Sequence, residues 1–114
     1  MRAWDMWVMK QYWVYMLECS DRSLYVGVTS NILQRVWQHE VGVFTSCYTF
    51  SRRPVKLVFS TVYSRVDDAI WFEKRVKGWS RAKKLALIAG DWDEIRRLAA
   101  GGASTALTLR LRSG

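Results

Sequence analysis

The sequence is poor in the residues that build metal clusters and disulfide frameworks. Its 114 residues include one proline, one histidine and two cysteines. A single histidine without paired cysteines argues against a tetrahedral zinc site. Cys19 and Cys47 match neither a CxxC metal spacing nor a disulfide-dense secreted scaffold. We therefore expect two free thiols in the reducing cytosol.

Long apolar runs are also missing. A helix that spans a bilayer needs roughly 18 or more apolar residues in succession, and no segment approaches that length. The first ten residues are interrupted by Arg2, Asp5 and Lys10, and they lack the small-residue cleavage site of a signal peptide. The expectation is a cytoplasmic protein that does not enter the membrane.

What the sequence does contain is a large apolar fraction and an excess of positive charge. Half of the residues are hydrophobic and 14% are aromatic, which suffices for the core of one compact domain. With 18 Lys and Arg against 10 Asp and Glu, the formal net charge is +8. Such a charge favours a polyanionic partner, namely DNA, RNA or an anionic membrane surface.

The spacing of apolar and turn residues predicts three strands and a series of helices. Trp13–Cys19 and Ser23–Thr29 read as the two strands of an antiparallel hairpin, and Val55–Tyr63 reads as a third strand. Thr29 or Ser30 is expected to cap the helix that follows the hairpin. Helices are predicted over Asn31–Val41, from the Ser64-x-x-Asp67 capping box to Lys77, over Arg81–Ala89 and over Asp91–Ala100.

The order of these elements, β-β-α-β-α-α, predicts a small α+β domain around a three-stranded, antiparallel-containing sheet. Each predicted helix is followed by glycine, and Ser80 is expected to cap the third. Residues 1–12 are expected to form an N-terminal extension and residues 13–92 the domain. Residues 93–114 are expected to be a short C-terminal helix, stopped by Gly101-Gly102, and a mobile tail.

Glu73 is the most unusual residue of the second predicted helix. The apolar stripe of that helix contains Val66, Ala69, Ile70 and Val76, and Glu73 falls within it. Burying an unpaired carboxylate is expensive, so the side chain needs a cation, hydrogen bonds or a cleft. Periodicity alone leaves two interpretations open, a structural ion pair and a functional acid.

Two tyrosines and a glycine stand out in the hairpin. Tyr15 and Tyr25 lie on neighbouring strands, but the sequence does not determine their register. Tyrosine in a strand is usually a packing residue, and Gly27 indicates either a bulge or a close backbone approach. The first helix carries Ile32, Leu33, Val36 and Trp37 on its predicted apolar face, with Arg35 and His39 beside that stripe. From the residues alone, His39 is expected on the surface.

A basic cluster spans the end of the second helix and the start of the third. Six basic residues fall within eleven positions without an acid among them, and Trp79 lies in their midst. Cations that bind phosphates beside an aromatic ring that stacks on bases suit a nucleic-acid surface. A solvated helix face with one buried tryptophan is the alternative. The six are Lys74, Arg75, Lys77, Arg81, Lys83 and Lys84.

In this order and spacing the residues resemble the GIY-YIG nuclease domain, and the small stand-alone YhbQ-like group most of all. Tyr15 precedes Tyr25 by ten residues, and the resemblance covers roughly residues 13–92. The shared motifs include Val14-Tyr15, Tyr25-Val26-Gly27, the helical Asn31, Arg35 and His39, Glu73, and three further pieces. These pieces are Tyr48-Thr49, Arg53-Pro54-Val55-Lys56-Leu57-Val58 and Lys77-Gly78-Trp79-Ser80-Arg81-Ala82-Lys83-Lys84.

Two positions depart from the family pattern. Trp13 replaces the first glycine of the signature, which many members also lack. Val28 stands where repair-excision members carry a lysine, so any phosphate contact or proton transfer made by that lysine is missing here.

The resemblance implies a metal-dependent endonuclease that hydrolyses DNA phosphodiester bonds, in repair, recombination or the processing of single-stranded or structured DNA. Glu73 would bind one divalent cation, Mg²⁺ or Mn²⁺. Tyr15 would help to deprotonate the attacking water, for which the ordinary tyrosine pKa of about 10 requires nearby positive charge. Tyr25 would orient water or phosphate, and Arg35 would stabilise charge on phosphorus. His39 would contact phosphate or relay a proton.

The same resemblance, with the basic cluster, implies a DNA-binding surface. Its expected members are Gly27, Arg53, Lys77, Trp79, Arg81, Lys83 and Lys84. Two other functions remain: a nucleic-acid-binding module with little cleavage, and a protein–protein adaptor that uses exposed tryptophans. Specificity is expected to come from the loops of the domain, a protein partner or self-association.

Overall fold

The computed structural model describes residues 10–106, and these form an α+β structure. The chain divides into two compact units, Met1–Gly78 and Trp79–Gly114. The strands are β1 Tyr12–Glu18, β2 Leu24–Thr29 and β3 Lys56–Tyr63, and a short 3-10 turn covers Phe50–Arg52. The helices are α1 Ile32–Val41, α2 Val66–Lys77, α3 Arg81–Ala89 and α4 Trp92–Ala106. The predicted fold class is confirmed.

Strand β1 is the centre of the sheet, whose order is β2-β1-β3 with both neighbours antiparallel to β1. The β1–β3 register shifts once, between Met16 and Leu17. Because successive residues of a strand point to opposite faces, Tyr15 and Leu17 lie on one face and Val14 and Met16 on the other. All four are buried, as expected for a central strand with cover on both faces.

We call the face that carries Tyr15 and Leu17 the tyrosine face. On it these two residues join Cys19 and Val55 in a buried cluster. Ile32 and Val36 pack against that cluster, so α1 lies on the tyrosine face.

The face that carries Val14 and Met16 is the apolar face, and α2 covers it. Tyr63 of β3 pairs with Tyr12 of β1, which places the Tyr63 ring on the same face as Val14 and Met16. The ring of Phe72 in α2 lies 6.0 Å from the Tyr63 ring, centroid to centroid. The sheet therefore lies between α1 and α2.

Helix α1 begins at Ile32, one residue later than predicted, and its cap is Asn31. The side chain of Asn31 accepts a hydrogen bond from the Gln34 N–H and so caps the helix, whereas Thr29 and Ser30 do not. Thr29 Oγ1 instead accepts from the Asn31 N–H at 3.1 Å, which holds the capping residue in place. Gly42 ends the helix in the left-handed conformation, as its position predicted.

The predicted apolar face of α1 is only half correct. Ile32 and Val36 pack inward, but Leu33 and Trp37 are 81% and 56% exposed. The buried residue of this helix is His39. The helix is thus rotated so that it presents a polar side chain to the sheet, and the expectation of a surface histidine is wrong.

Helix α2 begins at Val66 and ends at Lys77, close to its predicted limits. The Ser64 capping box does not form, because the N-cap is Arg65 and no side chain caps it. The carboxylate of Asp67 instead pairs with the guanidinium of Arg65 at 2.9 Å. Asp67 and Asp68 still place negative charge in the first turn, where the helix dipole favours it.

In the second unit, α3 has its predicted cap. Ser80 accepts a hydrogen bond from the Lys83 N–H, and Gly90 ends the helix in the left-handed conformation. Helix α4 does not stop at Gly101-Gly102 but continues to Ala106. Glycine costs a helix only about 1 kcal/mol per residue, and the alanines around the pair offset part of that cost.

Two terminal predictions fall wholly or partly outside the described residues. The N-terminal extension is described only from Lys10, and β1 begins at Tyr12. The mobile tail is described only to Ala106, and the part described is helical. Within residues 10–106, no helix has both the length and the apolar character needed to span a membrane.

Candidate active site

The register of β1 and β2 brings the two predicted catalytic tyrosines together. Tyr15 pairs with Gly27, and Leu17 pairs with Tyr25. Directly paired residues point to the same face, so the tyrosines are diagonal neighbours on the tyrosine face. Their ring centroids are 6.3 Å apart. The structure thus decides a register that the sequence left open, and it places both phenols in one cluster.

Gly27 is required because the Tyr15 ring lies across it. A Cβ atom at this position would come within 2.5 Å of Cζ and 2.8 Å of Cε1 of that ring. The β1–β2 register runs without a bulge, and Gly27 is buried. A close approach inside the protein therefore explains the glycine, and its contact with DNA stays a prediction.

His39 is the buried partner of Tyr15. The Tyr15 hydroxyl and His39 Nε2 are 2.9 Å apart, and His39 is 2% exposed. The imidazole ring also contacts the Tyr25 ring, with centroids 5.1 Å apart, and the edge of the Phe44 ring at 5.3 Å. Two aromatic neighbours and a hydrogen bond therefore hold the ring in one orientation.

Arg35 lies one helical turn before His39 and reaches the same cluster. Its guanidinium lies over the Phe44 ring, 5.5 Å from the centroid. Its positive charge also acts on Tyr15 and His39, where it favours the ionised phenol and disfavours the imidazolium. Four of the five predicted catalytic residues, Tyr15, Tyr25, Arg35 and His39, thus converge on the tyrosine face.

Burial controls the protonation of the cluster. It raises the pKa of Tyr15, and the charge and hydrogen bonding of Arg35 offset this only in part. Burial also raises the pKa of Tyr25, and the neighbouring Tyr15 adds to the effect. The pKa of His39 lies below its ordinary value, first because of burial and then because of Arg35. At neutral pH both phenols are protonated and the imidazole is neutral.

The loop after α1 supplies two polar residues that were not predicted as site residues. Thr49 is 1% exposed, and its Oγ1 lies 2.8 Å from His39 Nδ1. The same hydroxyl donates to Cys47 Sγ at 3.5 Å. Burial opposes ionisation of Cys47, but hydrogen bonds from Thr49 and Tyr25 outweigh it and lower the thiol pKa. The only signal in the sequence was the Tyr48-Thr49 pair of the family pattern.

Glu73, the fifth predicted catalytic residue, lies on α2. Ala69, Glu73 and Val76 are the buried residues of this helix, so the carboxylate does fall within its buried stripe. Val66 and Ile70, which were predicted there too, are exposed. Because α2 covers the apolar face, the sheet separates this helix from α1.

The partner of the Glu73 carboxylate is Lys77, one turn later in α2. Lys77 Nζ lies 2.5 Å from Glu73 Oε2, and the two side chains are 55% and 8% exposed. The ion-pair interpretation therefore has a named partner. Lys77 is exposed enough to exchange this carboxylate for water, so the pair does not preclude another cation at Glu73.

The donor set at Glu73 suits a hydrated divalent cation. Within residues 10–106, no three His, Cys, Asp or Glu side chains form a cluster. Mg²⁺ usually keeps several waters and takes one or two carboxylates with substrate phosphate oxygens. A single buried carboxylate, neutralised at present by an exchangeable ammonium, fits that requirement. It does not fit a metal that takes all its ligands from protein.

The residues predicted to bind nucleic acid lie in both units. Arg53 is exposed in the first unit, where its Nε donates to the Phe50 carbonyl and its guanidinium stacks on the Phe50 ring at 4.6 Å. In the second unit, Lys83 Nζ lies 4.4 Å from the centroid of the Trp79 ring. Arg81 and Lys84 belong to the same helix, α3. Their contacts with DNA stay a prediction.

The chain is similar to known proteins over most of its length. A family model described as the GIY-YIG catalytic domain matches residues 11–86. A UPF0213 protein of Syntrophus aciditrophicus is 45% identical over 80 residues, which cover 70% of this chain and 92% of that protein. A UPF0213 protein of Staphylococcus haemolyticus is 39% identical over 80 residues, or 70% of this chain and 96% of that protein.

A solved structure is similar as well. It is the solution NMR structure of a UPF0213 protein from Bacillus halodurans, with 35% identity and a TM-score of 0.47. The match covers 69% of this chain and 83% of that one. The family model and the relatives confirm the resemblance that the motifs indicated.

Proposed function

Because the chain belongs to the GIY-YIG nuclease family, we propose that it is a metal-dependent endonuclease that hydrolyses DNA phosphodiester bonds. The observation that carries the proposal is the buried hydrogen bond between Tyr15 and His39, 2.9 Å long, beside Arg35 and Tyr25. A protein that only binds DNA needs surface cations. It does not need a buried phenol–imidazole pair, whose polar groups cost free energy to desolvate.

In this proposal Tyr15 passes a proton rather than acting as a phenolate. Its raised pKa keeps it protonated at neutral pH. Once DNA binding exposes this buried hydroxyl, it takes a proton from the attacking water as it gives its own to His39 Nε2. His39 is available as the acceptor because its lowered pKa keeps it neutral. The proton therefore leaves the water, and the charge ends on an imidazolium.

Arg35 and Tyr25 supply the remaining polar groups on the tyrosine face. The positively charged guanidinium of Arg35 stabilises the negative charge that develops on the phosphoryl oxygens. Tyr25 stays protonated because its pKa is raised, and it donates its hydrogen bond to the water or the phosphate. Both roles need donors that are in place before the reaction, and the two side chains already lie in the cluster with Tyr15.

Glu73 is the residue that would hold the cation, Mg²⁺ or Mn²⁺. When bound, such an ion polarises the scissile phosphate and stabilises the leaving 3′ oxygen. The role of Glu73 itself is to present one carboxylate oxygen in place of its contact with Lys77. Exchange of the Lys77 ammonium then frees that lysine for a phosphate.

The test is cleavage of a panel of end-labelled DNAs, namely single-stranded, duplex, branched and damaged, with Mg²⁺, Mn²⁺ or EDTA. We expect cutting with either metal and none with EDTA. Tyr15→Phe should reduce the rate about 10²–10⁴-fold, the usual contribution of a proton-transferring group. Tyr63→Phe, the matched control on the apolar face, should cut as the wild type does. Equal rates for both variants would refute the role of Tyr15.

The alternative is a nucleic-acid-binding module of the same fold. The separation of α2 from the tyrosine face and the Lys77 partner of Glu73 favour it. It predicts salt-dependent binding to the same DNAs with no cleavage in either metal.

A further inference from the structure

Thr49 is a buried polar residue to which the proposed function gives no role. It lies in the loop between α1 and β3, where its hydroxyl contacts two groups of the cluster. Thr49 Oγ1 is 2.8 Å from His39 Nδ1 and 3.5 Å from Cys47 Sγ. At 1% exposure it has no access to solvent. Its single proton must therefore be donated to one of these two neighbours.

The contact with Cys47 decides the direction of the hydrogen bonds. A threonine hydroxyl has one proton to donate, and here it is directed to the Cys47 sulfur. The oxygen is then an acceptor towards His39, so the imidazole carries its proton on Nδ1. Nε2 keeps its lone pair, and that lone pair faces the Tyr15 hydroxyl at 2.9 Å.

The opposite tautomer, with the proton on Nε2, would satisfy fewer of the hydrogen bonds in the cluster. A proton on Nε2 would point at the Tyr15 oxygen, where Arg35 already offers a donor. The Thr49 proton would have to turn to Nδ1, and the Cys47 sulfur would lose the hydrogen bond that Thr49 donates to it. The first arrangement keeps more of the hydrogen bonds of the cluster, and a lost hydrogen bond costs free energy, so the first arrangement is preferred.

The loop holds Thr49 in place through its backbone. The Cys47 N–H donates to the Phe44 carbonyl and the Phe50 N–H donates to the Cys47 carbonyl, each at 3.0 Å. The Arg52 N–H donates to the Thr49 carbonyl at the same distance. These successive turns fix the threonine before any substrate arrives.

We propose that Thr49 is a positioning residue that holds His39 in the Nδ1-protonated tautomer and so keeps Nε2 as the acceptor of the Tyr15 proton. The use of that acceptor rests on the proposed nuclease function, but the tautomer belongs to the resting protein. Which ring nitrogen of a histidine carries the proton is set by the hydrogen bond at the other nitrogen. Without Thr49, both tautomers would be populated and only one could accept the proton.

The single histidine of the chain makes the tautomer directly measurable. NMR correlation of the two imidazole nitrogens with the ring C–H protons, at mildly alkaline pH, distinguishes a protonated nitrogen from one with a lone pair. The wild type should show a protonated Nδ1 and a lone pair on Nε2. Thr49→Val, which keeps the shape and removes the hydroxyl, should give averaged nitrogen shifts. Thr49→Ser should restore the wild-type pattern.

Thr45→Val is the matched control, because Thr45 is an exposed threonine of the same loop. It should leave both the nitrogen shifts and the melting temperature unchanged. If the wild-type spectrum shows the imidazole proton of His39 on Nε2, the proposal is overturned without the need for any variant. A folded Thr49→Val with wild-type shifts would overturn it as well.

Cleavage is a separate readout. Thr49→Val should lower the single-turnover rate by the same factor by which the nitrogen shifts show the Nδ1-protonated fraction of His39 to fall, with DNA affinity unchanged. Thr49→Ser should recover most of that rate. If the wild type cuts no DNA, the proposed function fails, while the nitrogen shifts still decide the role of Thr49. If the wild type cuts and Thr49→Val cuts equally fast, the positioning role is refuted.

Discussion

The two faces of strand β1 bury their side chains by opposite means. On the apolar face, Val14 and Met16 are covered without any polar group of their own. On the tyrosine face, one residue away in sequence, the Tyr15 hydroxyl is buried in a hydrogen-bonded chain with His39 and Thr49. Apolar burial stabilises through area alone, whereas each buried polar group must find a partner to avoid a net cost.

The difference extends to the charged residues. The tyrosine face satisfies its polar atoms with buried partners at 2.8–2.9 Å, so their geometry is set in advance. The carboxylate of Glu73, on the helix that covers the apolar face, is satisfied by a lysine that is 55% exposed. The first arrangement suits a preformed catalytic cluster, and the second suits a carboxylate that exchanges its cation.

The largest expected effect tests the exchangeable carboxylate. Glu73→Gln should remove metal-dependent cleavage but leave the melting temperature unchanged or higher, because Lys77 can turn to water and no buried cation is stranded. Cleavage and thermal unfolding, measured on one preparation with and without Mg²⁺, check this. Glu40→Gln, an exposed glutamate on α1, is the control. A Glu73→Gln protein that melts much earlier yet still cuts would show that the ion pair is structural.

On the tyrosine face, Arg35→Ala should slow cleavage about 10²–10³-fold, equivalent to roughly 2.7–4 kcal/mol of transition-state stabilisation. The loss is expected in the single-turnover rate, with a modest loss of DNA affinity. Arg96→Ala removes the same charge from an exposed position outside the cluster and should leave the rate unchanged. If the two variants cut equally fast, the guanidinium of Arg35 has no special role.

The packing of the tyrosine face is tested by Gly27→Ala. The added methyl group would overlap the Tyr15 ring, and such overpacking typically costs about 1–3 kcal/mol in the free energy of unfolding. Urea denaturation measures that cost. In a Tyr15→Ala background the cost should shrink, since the ring is gone. Gly78→Ala is the control, because a Cβ there meets nothing nearer than 3.6 Å. Equal losses at both glycines would mean that the ring adapts.

The α3 residues of the basic cluster contrast with both faces, since their proposed role is binding and not chemistry. Replacing three α3 cations with glutamine should reduce the slope of log K against log salt by roughly 0.7–0.9 for each DNA phosphate that is no longer neutralised. Fluorescence anisotropy with labelled DNA over a salt series measures this slope. An unchanged slope would place the DNA elsewhere. The test residues are Arg81, Lys83 and Lys84. The control variant replaces Lys10, Lys56 and Arg65, and these three control residues are all exposed.

The smallest expected effect is the change in the free energy of unfolding with pH. The folded protein lowers the pKa of His39 below 6.5, so the unfolded chain binds more protons as the pH falls through that value. The stability that comes from the neutral imidazole is therefore complete above pH 6.5 and declines below it. The slope cannot exceed about 1.4 kcal/mol per pH unit for one group. His39→Gln should remove this part of the slope, and identical pH profiles would contradict the burial of the histidine.

Local patterns predicted the elements of the fold because those patterns act over a few residues. Period-two alternation located the strands, and Ser80, Gly42 and Gly90 marked helix ends through hydrogen bonds within one turn. Two of the failures were local competitions with close alternatives. Asn31, and not Thr29 or Ser30, caps α1, and glycine did not stop α4.

The sequence by itself determined the charge, the order of strands and helices, and the identity of the polar residues that the fold would have to accommodate. Only the tertiary structure decided which of them meet. The Tyr15–His39 contact joins residues 24 positions apart, and the His39–Thr49 contact joins residues ten apart in different segments. Such contacts depend on strand register, on the rotation of α1 and on the path of one loop. Each is set by the packing of the whole unit, because no short segment can bury a polar group and also supply all of its partners.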